Sequence, residues 1–361
     1  MNRTRLQQRW IDVNDTILTA LKQMDQIDRK LLVVFRGEQF AGLLSAGDVQ
    51  RAIIANRPLN TPVGQVLRSN IRVAHPSDDQ EEIRKTMIHF RIECMPVVDE
   101  NGKLTDAIFW EDFFPDEDRR IIQKLDLPVV IMAGGKGTRL KPFTNILPKP
   151  LMPIDEKTIL EHIMDRFTAI GCNRFFLSVN YKADILRYYL ENLNNSAYQI
   201  TYIQEDKPMG TAGSLSLLKG LISNTFFVSN CDILIEEEYG VIFNYHMEQK
   251  NELTLVAALK HVKIPYGTVE TAEGGQLTAL VEKPELTWKI NSGLYILEPH
   301  LLEEIPADSF LNITDLIEKI RARNGRVGVF PVSENSWKDI GEWDEYLRIS
   351  KKFSDKDSAF R

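Results

Sequence analysis

The sequence predicts an α/β protein of two domains: a small front domain made from an internal repeat, and a larger one built on a mostly parallel, mixed sheet with helices on both faces. Three observations carry this prediction. A stretch near the start recurs about 63 residues later, so one supersecondary unit occurs twice and each copy can cover the apolar face of the other. From Val129 onward short apolar runs alternate with amphipathic segments, the pattern of successive βαβ units. The first of those runs, Val129 to Met132, leads directly into a glycine-rich turn, and parallel sheets bind ligands beyond the carboxyl ends of their strands.

Composition sets the outer limits. A chain of 361 residues has room for roughly two to three domains of ~150 residues. Lys+Arg 44 against Asp+Glu 51 gives a net charge of −7, which excludes an overall basic footprint for nucleic acid or for an anionic membrane. Any nucleotide is therefore a small ligand held by local charge. Cys94, Cys172 and Cys231 are far apart and form no C-x-x-C pair, which fits a reducing cytoplasm and argues against structural zinc. The start, MNRTRLQQRWIDVND, has positive charge without the apolar segment of a secretory signal. No apolar run approaches the ~20 residues of a membrane-spanning helix. The expectation is a soluble cytoplasmic protein with neither nucleic acid nor membrane as partner.

In the repeat, the first copy reads VNDTILTALKQM and then LLVVFRGEQFAGLLSAGDVQRAI; the second reads PSDDQEEIRKTM and then MPVVDENGKLTDAIFWEDFF. Asp15 pairs with Asp78, Met24 with Met87, Val33 with Val97 and Asp48 with Asp112. Each copy offers a capped helix, an apolar strand, a turn at Gly37 or at Asn101-Gly102, a second strand and a final helix. This resembles a pair of cystathionine-β-synthase (CBS) motifs. The resemblance implies that residues 1–117 form a tandem CBS domain with a regulatory or dimerising role, in a homo-oligomer. The first copy has Gly42, Ser45 and Asp48 in the G-x-x-S-x-x-D pattern with which such motifs hold a ribose, whereas the second has Asp106, Phe109 and Asp112. Two readings of Ser45 and Asp48 stand. They form a regulatory nucleotide site, or Asp48 simply opens a helix where the dipole favours an acid, which leaves the domain structural or dimerising.

Residues 118–128, within PDEDRRIIQKLDLP, read as a charged linker bounded by prolines, whose centre could wind into one or two helical turns. The catalytic domain is expected over 129–350. The remainder, 351–361, reads KKFSDKDSAFR and is expected to be a frayed polar tail.

The glycine-rich turn holds Ala133, Gly134, Gly135, Gly137 and Thr138, where backbone N–H groups can approach phosphate oxygens. Arg139 adds a forked guanidinium and Lys149 a point charge. Taken alone, the turn is equally a tight strand-to-helix connection. It has neither the G-K-[ST] ending of a P-loop nor the spacing of a dinucleotide fingerprint. The whole string, G-G-x-G-T-R-L followed by P-K-P with Pro142, Thr144 and Pro148, resembles the signature of the sugar-1-phosphate nucleotidyltransferases. That resemblance implies their Rossmann-like fold. It also implies that Arg139 stabilises the pyrophosphate and Lys149 the α-phosphate.

The following elements are read as a helix over Thr158 to Ile170, a strand from Phe175, a helix over Lys182 to Leu193, a strand from Gln199, a helix over Thr211 to Leu218 and a strand from Phe226. Glu205 then ends the third strand and Asp232 the fourth, at the same sheet edge as the glycine turn. A strand-end aspartate is commonly a cap. Here the late WKDIGEWDEY resembles the family's W-x-D-x-G element, which implies that Asp232 and Asp339 hold Mg²⁺ with nucleotide phosphates completing its shell.

Three further pieces match the family in order: Gly267 in Tyr266-Gly267-Thr268, Glu282 and Lys283 in VEKP, and Asn291 in INSGLYIL. Singly they are ordinary turns and surface pairs. The resemblance implies that Gly267, Glu282 and Asn291 touch the sugar and that Lys283 holds its phosphate. Glu205, with Gly210 and Thr211 after it, occupies the base-reading position. A carboxylate accepts from the two adjacent N–H donors of guanine, which favours GTP, although relatives with a nearby glutamate also use uridine nucleotides.

The expected function is transfer of a nucleoside monophosphate, GMP from GTP by preference, to a sugar 1-phosphate, with pyrophosphate released. The CBS fusion resembles the glucosamine-1-phosphate guanylyltransferases of legionaminic acid synthesis. Alternatives are a mannose-1-phosphate guanylyltransferase, a hexose-1-phosphate uridylyl- or thymidylyltransferase, and, from another class, a nucleotide-sugar sensor without turnover. The joint presence of Arg139, Lys149, Asp232 and Asp339 counts against the sensor.

Overall fold

The computed structural model describes residues 3–90, 92–113 and 123–358. The chain divides into two compact units, Met1–Ile121 and Ile122–Arg361.

In the front unit both copies of the repeat fold in the expected order. Helix Ile17–Ile27 is capped by Thr16, whose hydroxyl accepts from the Thr19 N–H at 3.1 Å. Strands Leu31–Arg36 and Gln39–Ser45 pair antiparallel and lead into helix Ala46–Ile54. The second copy supplies helix Gln80–Phe90, the antiparallel strands Cys94–Val98 and Leu104–Phe109, and helix Trp110–Phe113. Val33 and Phe35 of one copy share a buried cluster with Val98 and Leu104 of the other, and Leu31 shares one with Cys94 and Phe109. Each copy thus buries the strand face that the other would leave wet, the physical reason such units occur in pairs.

The second unit is built on a seven-stranded sheet. Its strands are β1 (Val129–Met132), β2 (Arg174–Val179), β3 (Gln199–Gln204), β4 (Phe226–Asn230), β5 (Leu253–Lys263), β6 (Glu285–Leu297) and β7 (Val327–Val332). The spatial order is β3-β2-β1-β4-β6-β5-β7, with β6 antiparallel to both neighbours and the other pairings parallel. β1 is buried on both faces, which explains its unbroken apolar run. On β4, successive side chains point to opposite faces. Val228 joins a core with Leu215, Leu301 and Leu316, while Phe227 stacks 5.3 Å from Phe167 of helix Ile159–Ala169. Helices therefore cover both faces. The strand order reverses at β1 and β4, whose carboxyl ends open the crevice where such sheets bind ligands.

The ends of the chain's expected modules differ from the sequence reading. Linker residues 118–122 lie outside the described residues; 123–128 carry no helix and attach to the second unit, where the Leu125 N–H donates to Ile170 O at 2.8 Å and Leu127 is buried. The segment expected as a frayed tail continues a helix, Trp343–Ser358. Between Trp343 and Ser358 no proline or glycine interrupts the hydrogen-bond ladder, so the polar composition alone does not stop it. No helix among the described residues is long and apolar enough to cross a membrane.

Candidate active site

β1 delivers the glycine loop to the crevice. Gly137 sits at φ +59°, and a Cβ there would lie 2.8 Å from Lys149 Cβ and 3.0 Å from Thr144 Cγ2. A side chain at 137 would push Lys149 outward, so this glycine serves both the backbone conformation and the close approach. Gly134, Gly135, Gly137, Thr138, Arg139 and Lys149 line one cavity of about 410 Å³ together with Glu205, Gly210, Thr211 and Asp232. Ala133 stands apart from the expected nucleotide set: it is buried, outside that lining, and its N–H is used by Ser178 O at 2.8 Å.

The two aspartates are brought together by a short ribbon. Strand Ile233–Ile235 pairs antiparallel with Trp337–Asp339, placing Ile233 opposite Asp339, and the Ile340 N–H donates to Asp232 O at 2.8 Å. Lys149 Nζ donates to the Asp232 carboxylate, and both residues are 8% exposed, so this is a buried ion pair. Arg139 lies 3.9 Å from each aspartate and donates to Glu342 Oε1 at 2.6 Å. Burial pushes the Asp339 carboxyl above its ordinary value and the Asp232 charge adds to this, while the Gly341 N–H opposes it. The Glu342 hydrogen bond raises the Arg139 guanidinium. Burial drives the neighbouring Cys231 thiol up to about 12, so it stays protonated and is no nucleophile.

A buried and a half-buried carboxylate that offer only oxygen donor atoms, beside the side chains of Lys149 and Arg139, fit a hard divalent ion. Gly341, the glycine of the W-x-D-x-G element, and Glu342, to which the sequence assigns no role, belong to this cluster. A Cβ at 341 would come within 2.7 Å of both Asp339 Oδ1 and Lys149 Nζ.

Glu205 is 6% exposed and held from three sides. Ser178 Oγ donates to its Oε1 at 2.5 Å, the Met209 N–H donates to Oε2 at 3.1 Å, and Asn180 Nδ2 donates to its backbone oxygen at 2.8 Å. A Cβ at Gly134 would sit 3.0 Å from Oε1, so the missing side chain keeps one carboxylate edge open toward the loop. Gly210, at φ +76°, and Thr211 line the cavity and also carry a second loop: Thr211 Oγ1 accepts from the Ile313 N–H at 2.9 Å.

The expected sugar residues lie elsewhere. Gly267, Glu282, Lys283 and Asn291 are outside the cavity lining. A Cβ at Gly267 would meet Glu282 Oε2 at 3.0 Å, so these two are adjacent, and Lys283 Nζ is 4.0 Å from Glu282 with both side chains exposed. Asn291 Oδ1 accepts from the Gly293 N–H at 3.1 Å. Gly293 packs against Asn230, which does line the cavity.

At the front, Ser45 and Asp48 form a reciprocal capping box on helix Ala46–Ile54. Ser45 N–H and Oγ donate to Asp48 Oδ2 at 2.9 and 2.5 Å, while Arg68 Nε (2.5 Å) and Arg51 donate to Oδ1. Burial opposes ionisation, yet these bonds from Ser45 and Arg68 hold the carboxyl below its ordinary value. The geometry is that of the helix-start reading. A ribose would have to displace Ser45 or an arginine.

The family model for nucleotidyl transferases matches residues 128–356, and that for the CBS domain matches residues 63–113. The chain is 33% identical over 231 residues to the mannose-1-phosphate guanylyltransferase catalytic subunit beta of Xenopus tropicalis, a match covering 61% of this chain and 63% of that protein. It is 28% identical over 225 residues to the mannose-1-phosphate guanylyltransferase of Mycobacterium tuberculosis, with the same two coverages, 61% and 63%. The chain thus spans 63% of the length of these curated relatives. Among solved structures, HddC from Yersinia pseudotuberculosis superposes with a TM-score of 0.50 at 29% identity, over 63% of this chain and 99% of that one. The same protein complexed with GMP-PN gives a TM-score of 0.50 at 28% identity, again over 63% and 99%.

Proposed function

The chain belongs to the nucleotidyl transferase family, and from that premise we propose that it transfers GMP from GTP to a sugar 1-phosphate and releases pyrophosphate. The observation that carries this reading is a single cavity in which Arg139, Lys149 and Asp232 converge at one end and the fixed carboxylate of Glu205 lines the same space. The names of the mannose-1-phosphate guanylyltransferases and the GMP-PN complex of HddC support guanine as the base. For the sugar, the CBS fusion favours glucosamine 1-phosphate and the relatives' names favour mannose 1-phosphate.

Asp232 and Asp339 would hold Mg²⁺, which when bound supplies charge neutralisation to the phosphates. The protein's own groups do the positioning. Gly134, Gly135 and Gly137 let the loop backbone approach the triphosphate, Lys149 holds the α-phosphate, and Arg139 receives the charge that builds on the departing pyrophosphate. Glu205, locked by Ser178 and Met209, accepts from the guanine edge. Lys283 holds the sugar phosphate, whose oxygen attacks the α-phosphorus as the bond to pyrophosphate breaks in line. That monoester already carries close to two negative charges near neutral pH, so no general base is required.

Pyrophosphate release from a panel of nucleoside triphosphates against glucosamine, mannose and glucose 1-phosphates tests the proposal. GTP with one of these sugars should give turnover. Binding of GTP without pyrophosphate release from any pair would make the protein a sensor and sink the enzymatic reading.

A further inference from the structure

One large aromatic residue at this site has no place in the charged constellation. Phe310 lines the same cavity as Glu205, Pro208 and Met209, and it is 65% exposed. Its backbone is nonetheless fixed. The Leu311 N–H donates to Met209 O at 3.0 Å, and Leu311 O accepts from the N–H groups of Ala212 and Gly213 at 2.9 and 3.0 Å. Gly210 and Gly213 permit this contact: a Cβ on Gly210 would stand 2.5 Å from Leu311 O, and one on Gly213 would collide with Ser309 O. Leu311 packs against the core of the second unit, which leaves Phe310 as the residue of this pinned loop that faces the cavity.

An apolar ring exposed on an immobilised segment gains free energy when a flat apolar surface covers it, and loses little mobility in doing so. A phenyl group offers phosphate nothing, since it has no donor and its face is negative. What it does offer is a flat surface, and a nucleobase presents the matching one. We propose that Phe310 is a stacking surface for the base of the triphosphate, fixing the plane in which Glu205 meets the base edge. This inference rests on the reading of the cavity as a nucleoside triphosphate site, and it adds a base-contacting residue from a loop far along the chain.

Calorimetry on the full-length protein with magnesium, using GTP and inorganic tripolyphosphate as separate probes, tests the idea. Tripolyphosphate carries the three phosphates of GTP and lacks its nucleoside. Phe310→Ala should weaken GTP about tenfold, which corresponds to about 1.4 kcal/mol, and leave tripolyphosphate unchanged. Phe310→Tyr should retain GTP affinity because the ring remains. In turnover, Phe310→Ala should raise KM for GTP while kcat stays within about twofold. Equal weakening of both probes, or of neither, would overturn the stacking role while leaving the functional reading intact. A wild-type protein that bound tripolyphosphate and no nucleoside triphosphate would instead overturn the functional reading, and the stacking role with it.

Discussion

The proposed nucleotide half and the proposed sugar half of the site are built on opposite principles. The first rests on the core sheet: Lys149, Asp232 and Glu205 are all buried, and each has its partners in place without substrate. The second rests on a ribbon. Beyond the sheet, β5 and β6 continue as a two-stranded extension in which Val262 opposes Leu286 and Lys260 opposes Trp288, and the hairpin Thr268–Thr271 with Leu277–Val281 follows the same exposed course. Leu286, Trp288, Val269 and Leu280 are all exposed there. The proposed phosphate-binding residues are thus tied to the fold, and the part proposed to recognise the sugar can change without repacking the core.

On this contrast, substitutions at the buried positions of the first half should act on turnover and stability together, and those in the second on sugar affinity alone. The largest effect is expected from the aspartates. Asp339→Asn should lower kcat by a factor on the order of 10²–10³ in a pyrophosphate-release assay, the scale of removing one preorganised charge contact. Its melting temperature should stay near wild type, because Asp339 is only half-buried. Asp232→Asn should lose as much activity and also unfold more easily, by up to about 3 kcal/mol, since it leaves the buried Lys149 ammonium without its counter-charge. An Asp232→Asn protein with wild-type denaturant stability would break the claim that this half is welded to the fold.

Gly137→Ala comes next. Placing Cβ in the left-handed region costs about 1–2 kcal/mol, and the added methyl also meets Lys149 and Thr144. Denaturant unfolding should show the loss and kcat should fall with it.

On the ribbon, Lys283→Met should raise KM for the sugar 1-phosphate about tenfold, the lower end of what a hydrogen bond to a charged group contributes. Stability and KM for GTP should not move, because the Lys283 side chain is 58% exposed and lies outside the cavity lining. A matching rise in KM for GTP would merge the two halves into one.

How much of this was legible in the sequence follows from how local each feature is. The first four strands of the large sheet, the glycine turn and both copies of the repeat declared themselves through periodicity and short-range pattern, whereas the strands from Leu253, Glu285 and Val327 were not read. So did the capping box at Ser45 and Asp48, whose spacing is that of a helix start as much as of a ribose site. The meeting of Asp232 with Asp339 was reachable only through resemblance, since it depends on two strands of three residues each, too short to read. Phe310 left no signal at all, because its role depends on which glycines its loop lies against. The terminal helix was misread for a simpler reason: lysine, serine and aspartate suit a solvated helix as well as a frayed tail, and only packing or continuity decides.

The smallest effect, and the one that most sharpens the contrast, belongs to Glu342. It accepts from Arg139 at 2.6 Å at the rim of the cavity, where both side chains are more than half exposed. Such a pair contributes about 0.2–1 kcal/mol. Arg139 cannot give the same N–H group to Glu342 and to a phosphate, so the pair competes with the triphosphate. Glu342→Gln keeps the shape and removes the charge, and should therefore lower KM for GTP, by at most about fivefold for a pair of this worth. The gain should vanish at 1 M salt, where screening acts over about 3 Å, and KM for the sugar 1-phosphate should not respond. A rise in KM for GTP would reverse the assignment: Glu342 would then aim Arg139 at the phosphates, and the rim would prove as preorganised as the floor.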